Sequence, residues 1–201
     1  LNRMKFAPTG PFAVDSYRPA CVMILTPQEL LVDNSGYPTE MISRNSHDYR
    51  PLGLGYANLG ALLMAAGLPY DSDAGRDYAA CLTAIMCGEA YLQSSRIAEL
   101  CQPLAPATET TSKHYAEHEQ QITGAATGVP NADRHWGGAC PGYYVNREPF
   151  LDVIRMHRAS VNNISSGSAG VSPATKALIE CSKQLWDEAL SHGEKHGYRN
   201  S

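Results

Sequence analysis

The sequence has no block or stripe of basic residues. Its 201 residues carry 16 Lys and Arg against 20 Asp and Glu, a net charge of −4. Binding to nucleic acid through phosphate contacts therefore has no support in the charge pattern. Long apolar runs are missing too: the longest, Leu59 to Leu68, is about half of what a bilayer crossing needs. No apolar h-region follows Leu1 to Lys5, so the start does not read as a signal peptide. These absences predict a cytoplasmic chain without membrane or nucleic-acid partners. No internal repeat recurs at a fixed period, and no C-x-x-C pair occurs. The six cysteines (Cys21, Cys81, Cys87, Cys101, Cys140 and Cys181) are scattered, which predicts free, mostly buried thiols instead of a disulfide frame.

What is present is the composition of an ordinary globular protein, 43% hydrophobic and 18% charged, enough for one domain or a large piece of one. Leu1-Asn2-Arg3-Met4 has no character of a start and Tyr198-Arg199-Asn200-Ser201 none of a tail. Both ends are expected to be cuts through a longer protein.

Helical periodicity dominates. Val14, Tyr17, Cys21, Ile24 and Leu25 predict a helix over 13–33. Pro27 should kink or restart it, with Thr26 as a new N-cap. A short helix is expected at Thr39–Asn45. Leu52-Gly53-Leu54-Gly55-Tyr56 reads as a buried strand whose glycines allow close backbone approach, feeding a helix that ends at Gly67. Residues 73–101 predict a long helix capped by Ser72 or Asp73, its apolar side running from Tyr78 through Leu82, Ile85, Met86, Tyr91 and Ile97 to Leu100. Residues 102–142, rich in Pro, Gly, Thr and Ala, read as loop with one helical stretch at Ser112–Ile122. Two further helices are expected. One carries Phe150, Val153, Ile154, His157, Val161 and Ile164. The other follows a small-residue linker at Ser165–Gly170, opens at Ser172-Pro173 and runs through Leu178, Cys181, Leu185 and Ala189.

One string is more specific than any of these patterns. Arg50 to Met64 reads Arg-Pro-Leu-Gly-Leu-Gly-Tyr-Ala-Asn-Leu-Gly-Ala-Leu-Leu-Met, and Gly67-Leu68-Pro69-Tyr70-Asp71-Ser72-Asp73 follows it. Upstream stand Glu29-Leu30-Leu31-Val32-Asp33-Asn34-Ser35 and Tyr37-Pro38-Thr39. Downstream stand Asn146-Arg147-Glu148-Pro149-Phe150 with Arg155-Met156-His157-Arg158, then Leu185-Trp186-Asp187-Glu188-Ala189 and His196-Gly197-Tyr198-Arg199-Asn200. In this order the blocks strongly resemble the adenosylcobalamin-dependent (class II) ribonucleotide reductases. Residues 102–140 match poorly, as a variable surface excursion would, and Pro27 and Cys140 depart from the family's common pattern.

The resemblance implies an α/β fold in which residues 1–201 are a mostly helical fragment of a ten-stranded reductase barrel, with 102–142 a loop-rich insertion. It implies a segment of a ribonucleoside-diphosphate reductase. In that family, adenosylcobalamin initiates thiyl-radical chemistry that removes the ribose 2′-hydroxyl, a cysteine pair supplies electrons and a glutamate handles the proton. Implied partners are the ribonucleotide substrate, nucleotide effectors, a dithiol reductant and a second copy in a homodimer. The family's Asn-x-Cys-x-Glu finger-loop pattern occurs nowhere in these residues, and although Pro8-Thr9-Gly10 spells Pro-Thr-Gly, the family's phosphate turn is expected after the block resembling Arg199-Asn200. No catalytic residue is therefore assigned, and the isolated chain is expected to be inactive. Two other readings stand beside this one: a non-catalytic helical structural module, and the large chain of a reductase whose radical comes from a metal subunit (class I).

Four positions are candidates for lining the nucleotide or cofactor cavity: Gly53, Gly55, Tyr56 and Asn58, at the end of the predicted strand. The plainer reading has the glycines merely permitting tight packing and Asn58 capping a helix. His192 and His196 stand four apart, at metal-ligand spacing. With no H-E-x-x-H glutamate and no third ligand nearby, they read as a solvated helix end, as do His114 and His118, and no metal is assigned. Arg155, His157 and Arg158 form a basic spot that could meet a phosphate, or pair with Asp152 and Glu148.

Overall fold

Tyr17, Cys21, Leu25 and Glu29 recur every four residues, with Val32 beyond them, so all five fall on one side of a helix. That side is the buried face of α1 (Val14–Asn34). The computed structural model describes residues 1–7, 10–102, 104, 138–164 and 173–201. The break expected at Pro27 does not occur, and α1 runs through both Pro19 and Pro27. Thr26 caps nothing; its hydroxyl donates to the Val22 carbonyl at 2.9 Å. Pro27 and Met23 both lie on the exposed side, where water can satisfy the carbonyl that the proline leaves without a donor.

Thr39 opens α2 (Glu40–Tyr49), its hydroxyl accepting from the Ile42 N–H at 3.3 Å. The helix ends on Arg50, which takes the left-handed conformation at φ +47°. The predicted strand at 52–56 is not formed. This stretch is extended but pairs only at its end, where Ala57 bridges in parallel to Asn2. Leu1, Ala57 and Arg3 exchange backbone hydrogen bonds there at 2.8 and 3.2 Å. A parallel strand needs neighbours to complete its ladder. Among the described residues no strand lies beside Leu52–Leu54, and every regular element is a helix.

The short helix α3 (Leu59–Ala65) ends at Gly67, whose φ of +69° suits a residue without Cβ. Ser72 then caps α4 (Asp73–Leu100), accepting from the Gly75 N–H at 3.0 Å. This is the central helix, packed on one side by α1 and on another by α7 (Pro173–His196). Its buried face carries Tyr78, Cys81, Leu82, Ile85, Met86, Leu92 and Ala98. Leu100, expected on that face, is 82% exposed because it falls on the last turn beyond the packed neighbours. Trp186 of α7 donates from Nε1 to the Ala84 carbonyl at 3.0 Å. Gly88 admits that closeness, since a Cβ there would meet Leu185 and Trp186 at 3.2 and 3.3 Å.

Residues 141–145 form a short helix that the loop reading of 102–142 omitted, α5 (Pro141–Val145), with Pro141 in its first turn. It leads into α6 (Arg147–Val161), which buries Leu151, Ile154 and Val161. The chain leaves α7 through Gly197, at φ +73°, and turns back into the core. There Tyr198 is fully buried and donates to the Ala189 carbonyl at 2.8 Å. Its ring joins Tyr91, Tyr143 and Phe150 with centroids 5.1 to 5.8 Å away, closing α4, α5, α6 and the C-terminal segment on one another. The helix expected at Ser112–Ile122, the linker at Ser165–Gly170 and the cap at Ser172 lie outside the described residues. Among the described residues no helix is long and apolar enough to cross a membrane.

Candidate functional site

The segment from Arg50 to Asn58 is anchored at both ends and open between them. At its first end, Arg50 is fully buried. Its guanidinium donates to both carboxylate oxygens of Glu29 at 2.9 and 3.0 Å, and to both of Asp33 at 2.8 and 2.9 Å. Glu29 also accepts from Arg199 at 2.8 Å and from the Asn200 amide at 2.5 Å. Arg199 in turn reaches the Gly138 carbonyl at 2.9 Å. Burial works against the charge on Arg50, but the hydrogen bonds it donates to Asp33 and Glu29 prevail and raise its pKa.

Glu29 is the fourth member of the four-residue stripe on α1, which is why a carboxylate faces the interior. Glu29, Asp33, Arg50, Arg199 and Asn200 stand in three separate blocks of the sequence, and no role for any of them is legible there. The signal was present in principle: a charged residue at an apolar-stripe position needs partners, but nothing in the spacing said which.

At the second end, Arg3 lies over the Tyr56 ring with its guanidinium carbon 3.3 Å from the centroid. The side chain is fully buried, and none of its three nitrogens finds a hydrogen-bond partner among the described residues. Burial pulls its pKa below the ordinary value, against the influence of Tyr17 and Tyr56. The Tyr56 hydroxyl meets the Thr83 hydroxyl at 3.0 Å. Asn58 occupies the N-cap position of α3 in the left-handed conformation but does not cap with its side chain; its amide donates to the Asn2 side chain at 3.0 Å. Between these anchors, Gly53 and Gly55 are exposed, and a Cβ at either would meet nothing within 4 Å. Close backbone approach is therefore not what these glycines serve among the described residues. Gly53 donates to the Gln28 side chain at 3.1 Å, and the Gly55 carbonyl accepts from the amino group of Leu1 at 2.7 Å. Leu52 and Leu54 border a cleft of about 210 Å³ shared with Met86, Tyr91 and Asn200.

The other candidates divide. Arg155 pairs with Asp152 at 2.9 Å, Glu194 at 3.0 Å and Glu148 at 3.4 Å, while Arg158 is held by both oxygens of Asp187. His157 stacks on Trp186, with centroids 5.4 Å apart. This spot is an ion-paired helix face, not an anion site. His114 and His118 lie outside the described residues. His192 and His196 acquire a neighbour the sequence did not reveal, Glu99 of α4, at 3.2 and 3.4 Å. All six cysteines are free thiols. Burial pushes Cys21, Cys81 and Cys140 up to about 12, so these three stay protonated near neutral pH.

Comparison with known proteins bears on this arrangement along its whole length. The family model for the ribonucleotide reductase barrel domain matches residues 1–201. A vitamin B12-dependent ribonucleotide reductase of Rhodopirellula baltica is 38% identical over 202 residues, covering 100% of this chain and 15% of its own. One from Agrobacterium fabrum is 36% identical over 213 residues, covering 100% and 14%. One from Bradyrhizobium diazoefficiens is 34% identical over 204 residues, covering 96% and 13%. The chain thus spans less than a sixth of the length of these relatives. With the match continuous from first residue to last, the chain belongs to the ribonucleotide reductase barrel-domain family.

Proposed function

We propose that this chain is a segment of an adenosylcobalamin-dependent ribonucleoside-diphosphate reductase, within whose ten-stranded barrel it forms part of the wall. The observation that carries the reading is identity of 34–38% across essentially the whole chain with proteins named as vitamin B12-dependent reductases. The same naming favours cobalamin over a metal subunit as the radical source. The ribonucleotide, its effectors, a dithiol reductant and a second copy would then be partners of the whole cytoplasmic enzyme in deoxyribonucleotide synthesis.

The described residues do not hold the cofactor by themselves. Ligand sites for drug-sized molecules run from about 300 to 1,000 Å³, and a corrinoid is larger still. The cleft beside Leu52 and Leu54 is about 210 Å³, and Gly53 and Gly55 face open space instead of a cradle. What these residues do is positional. Arg50 and Arg3 fix the ends of the 51–57 segment, and Gly53, Gly55, Tyr56 and Asn58 form an edge of the nucleotide or cofactor cavity that other parts of the barrel complete.

Full-length protein given adenosylcobalamin, a dithiol and a ribonucleoside diphosphate should form the deoxynucleotide, while the 201-residue chain alone should form none. Turnover by the isolated chain would overturn the placement of the catalytic groups elsewhere. Its absence in the full-length protein would overturn the reductase reading.

A further inference from the structure

We infer that Glu99, His192 and His196 form a binding site for a single zinc ion that ties the end of α4 to the end of α7. The two histidines are one helical turn apart on α7, and their rings lie 4.5 Å centroid to centroid. Glu99 comes from the last turn of α4 and faces both: His192 Nε2 is 3.2 Å from one of its oxygens and His196 Nε2 is 3.4 Å from the other. One ligand atom from each residue can be chosen so that all three lie within 4.8 Å of one another. A tetrahedral zinc with bonds of about 2.05 Å sets its ligand atoms about 3.3 Å apart, so whichever Glu99 oxygen binds, its edge to one histidine is already at that length and the other edges must close from within 4.8 Å.

The geometry has the outer support that metal-bound histidine needs. His192 Nδ1 is 2.8 Å from the Ser95 hydroxyl, and Ser95 is fully buried on α4. With Nδ1–H donating to Ser95, the lone pair of Nε2 is left pointing at the common centre. Glu194, which lies between the histidines in sequence, is turned to Arg155 at 3.0 Å and takes no part. The histidine side chains are 26% and 14% exposed and Glu99 is 44% exposed. The site is thus sheltered on the histidine side and open to water on the glutamate side. Two histidines and a carboxylate with an open fourth position suit zinc, with water as the remaining ligand.

Zinc sulfate titrated into the full-length protein that contains this chain should show one more tightly held zinc per polypeptide than in Glu99→Gln or in His192→Ala/His196→Ala. Cobalt(II) in its place should give the visible absorption of a tetrahedral site, absent from both variants. Ser95→Ala keeps all three ligands and should weaken binding by about 10–100-fold. If Glu99 and the histidines only hydrogen-bond to each other, the variants lose thermal stability but hold as much zinc as the unaltered protein, and the inference fails. Glu99 is exposed, so Glu99→Gln should fold normally and keeps the comparison valid even where the double histidine variant does not fold. Equal zinc content in Glu99→Gln and the unaltered protein would overturn the site.

Discussion

At the scale of single residues, Glu29 carries more of the molecule than its place in a leucine-rich helix suggests. Arg50, Arg199 and Asn200 converge on one carboxylate that is 5% exposed. Removing one partner of a buried ion pair leaves the others charged and dry, at a penalty of about 3–5 kcal/mol. Glu29→Ala should therefore lower the unfolding free energy read from urea titration by an amount of that order, and an unchanged midpoint would mean the cluster contributes nothing. Asp33, on the wetter side of Arg50, offers a pH signature. Hydrogen bonds from Arg50 hold its carboxyl below the usual value, against a smaller opposing effect of burial. A carboxyl depressed on folding contributes stability that is complete above its unfolded pKa, near 3.9, and lost as pH falls through the lower folded value. In thermal melts below about pH 4, Asp33→Asn should lose less stability on acidification than the unaltered chain; parallel curves would contradict this.

At the scale of elements, the helices follow their apolar stripes and their close contacts follow glycine. Gly193 lies inside α7, where Ala would ordinarily gain about 1 kcal/mol of helix propensity. A Cβ there would stand 2.0 Å from Cζ of Tyr198, and that ring is locked among Tyr91, Tyr143 and Phe150 with its hydroxyl on the Ala189 carbonyl. Gly193→Ala should therefore destabilise, by about 1–3 kcal/mol as overpacked cores do. Calorimetry showing a raised melting temperature would mean that Tyr198 can move aside. Sequence periodicity predicted that α7 exists and which side is apolar. It could not show that Tyr198, beyond the helix end, returns to press on residue 193.

At the scale of the whole molecule, several large apolar side chains find no cover among the described residues. Met23, Leu30 and Leu31 on α1 and Met41 on α2 are 57 to 73% exposed. Exposed apolar faces of this kind associate. The isolated chain should sediment as concentration-dependent oligomers, and Leu30→Lys with Leu31→Lys should shift it toward monomer. Monomeric behaviour of the unaltered chain at all concentrations would mean these side chains are not a contact surface.

The sequence by itself determined the long described helices, the free state of the thiols and the family, because periodicity, capping residues and an ordered set of short blocks are local properties of a chain. It did not determine the strand at 52–56, since a strand forms only when another segment supplies its hydrogen bonds, and here Leu1 to Arg3 meet only its end. Which charges meet in the interior was also a tertiary decision. Glu29 and Arg199 are 170 positions apart, and Glu99 reaches His192 only because α4 and α7 end side by side. Partners so distant in sequence leave no spacing to read, so the ion cluster that fixes Arg50 and the three-residue site at the helix ends became visible only in the folded chain.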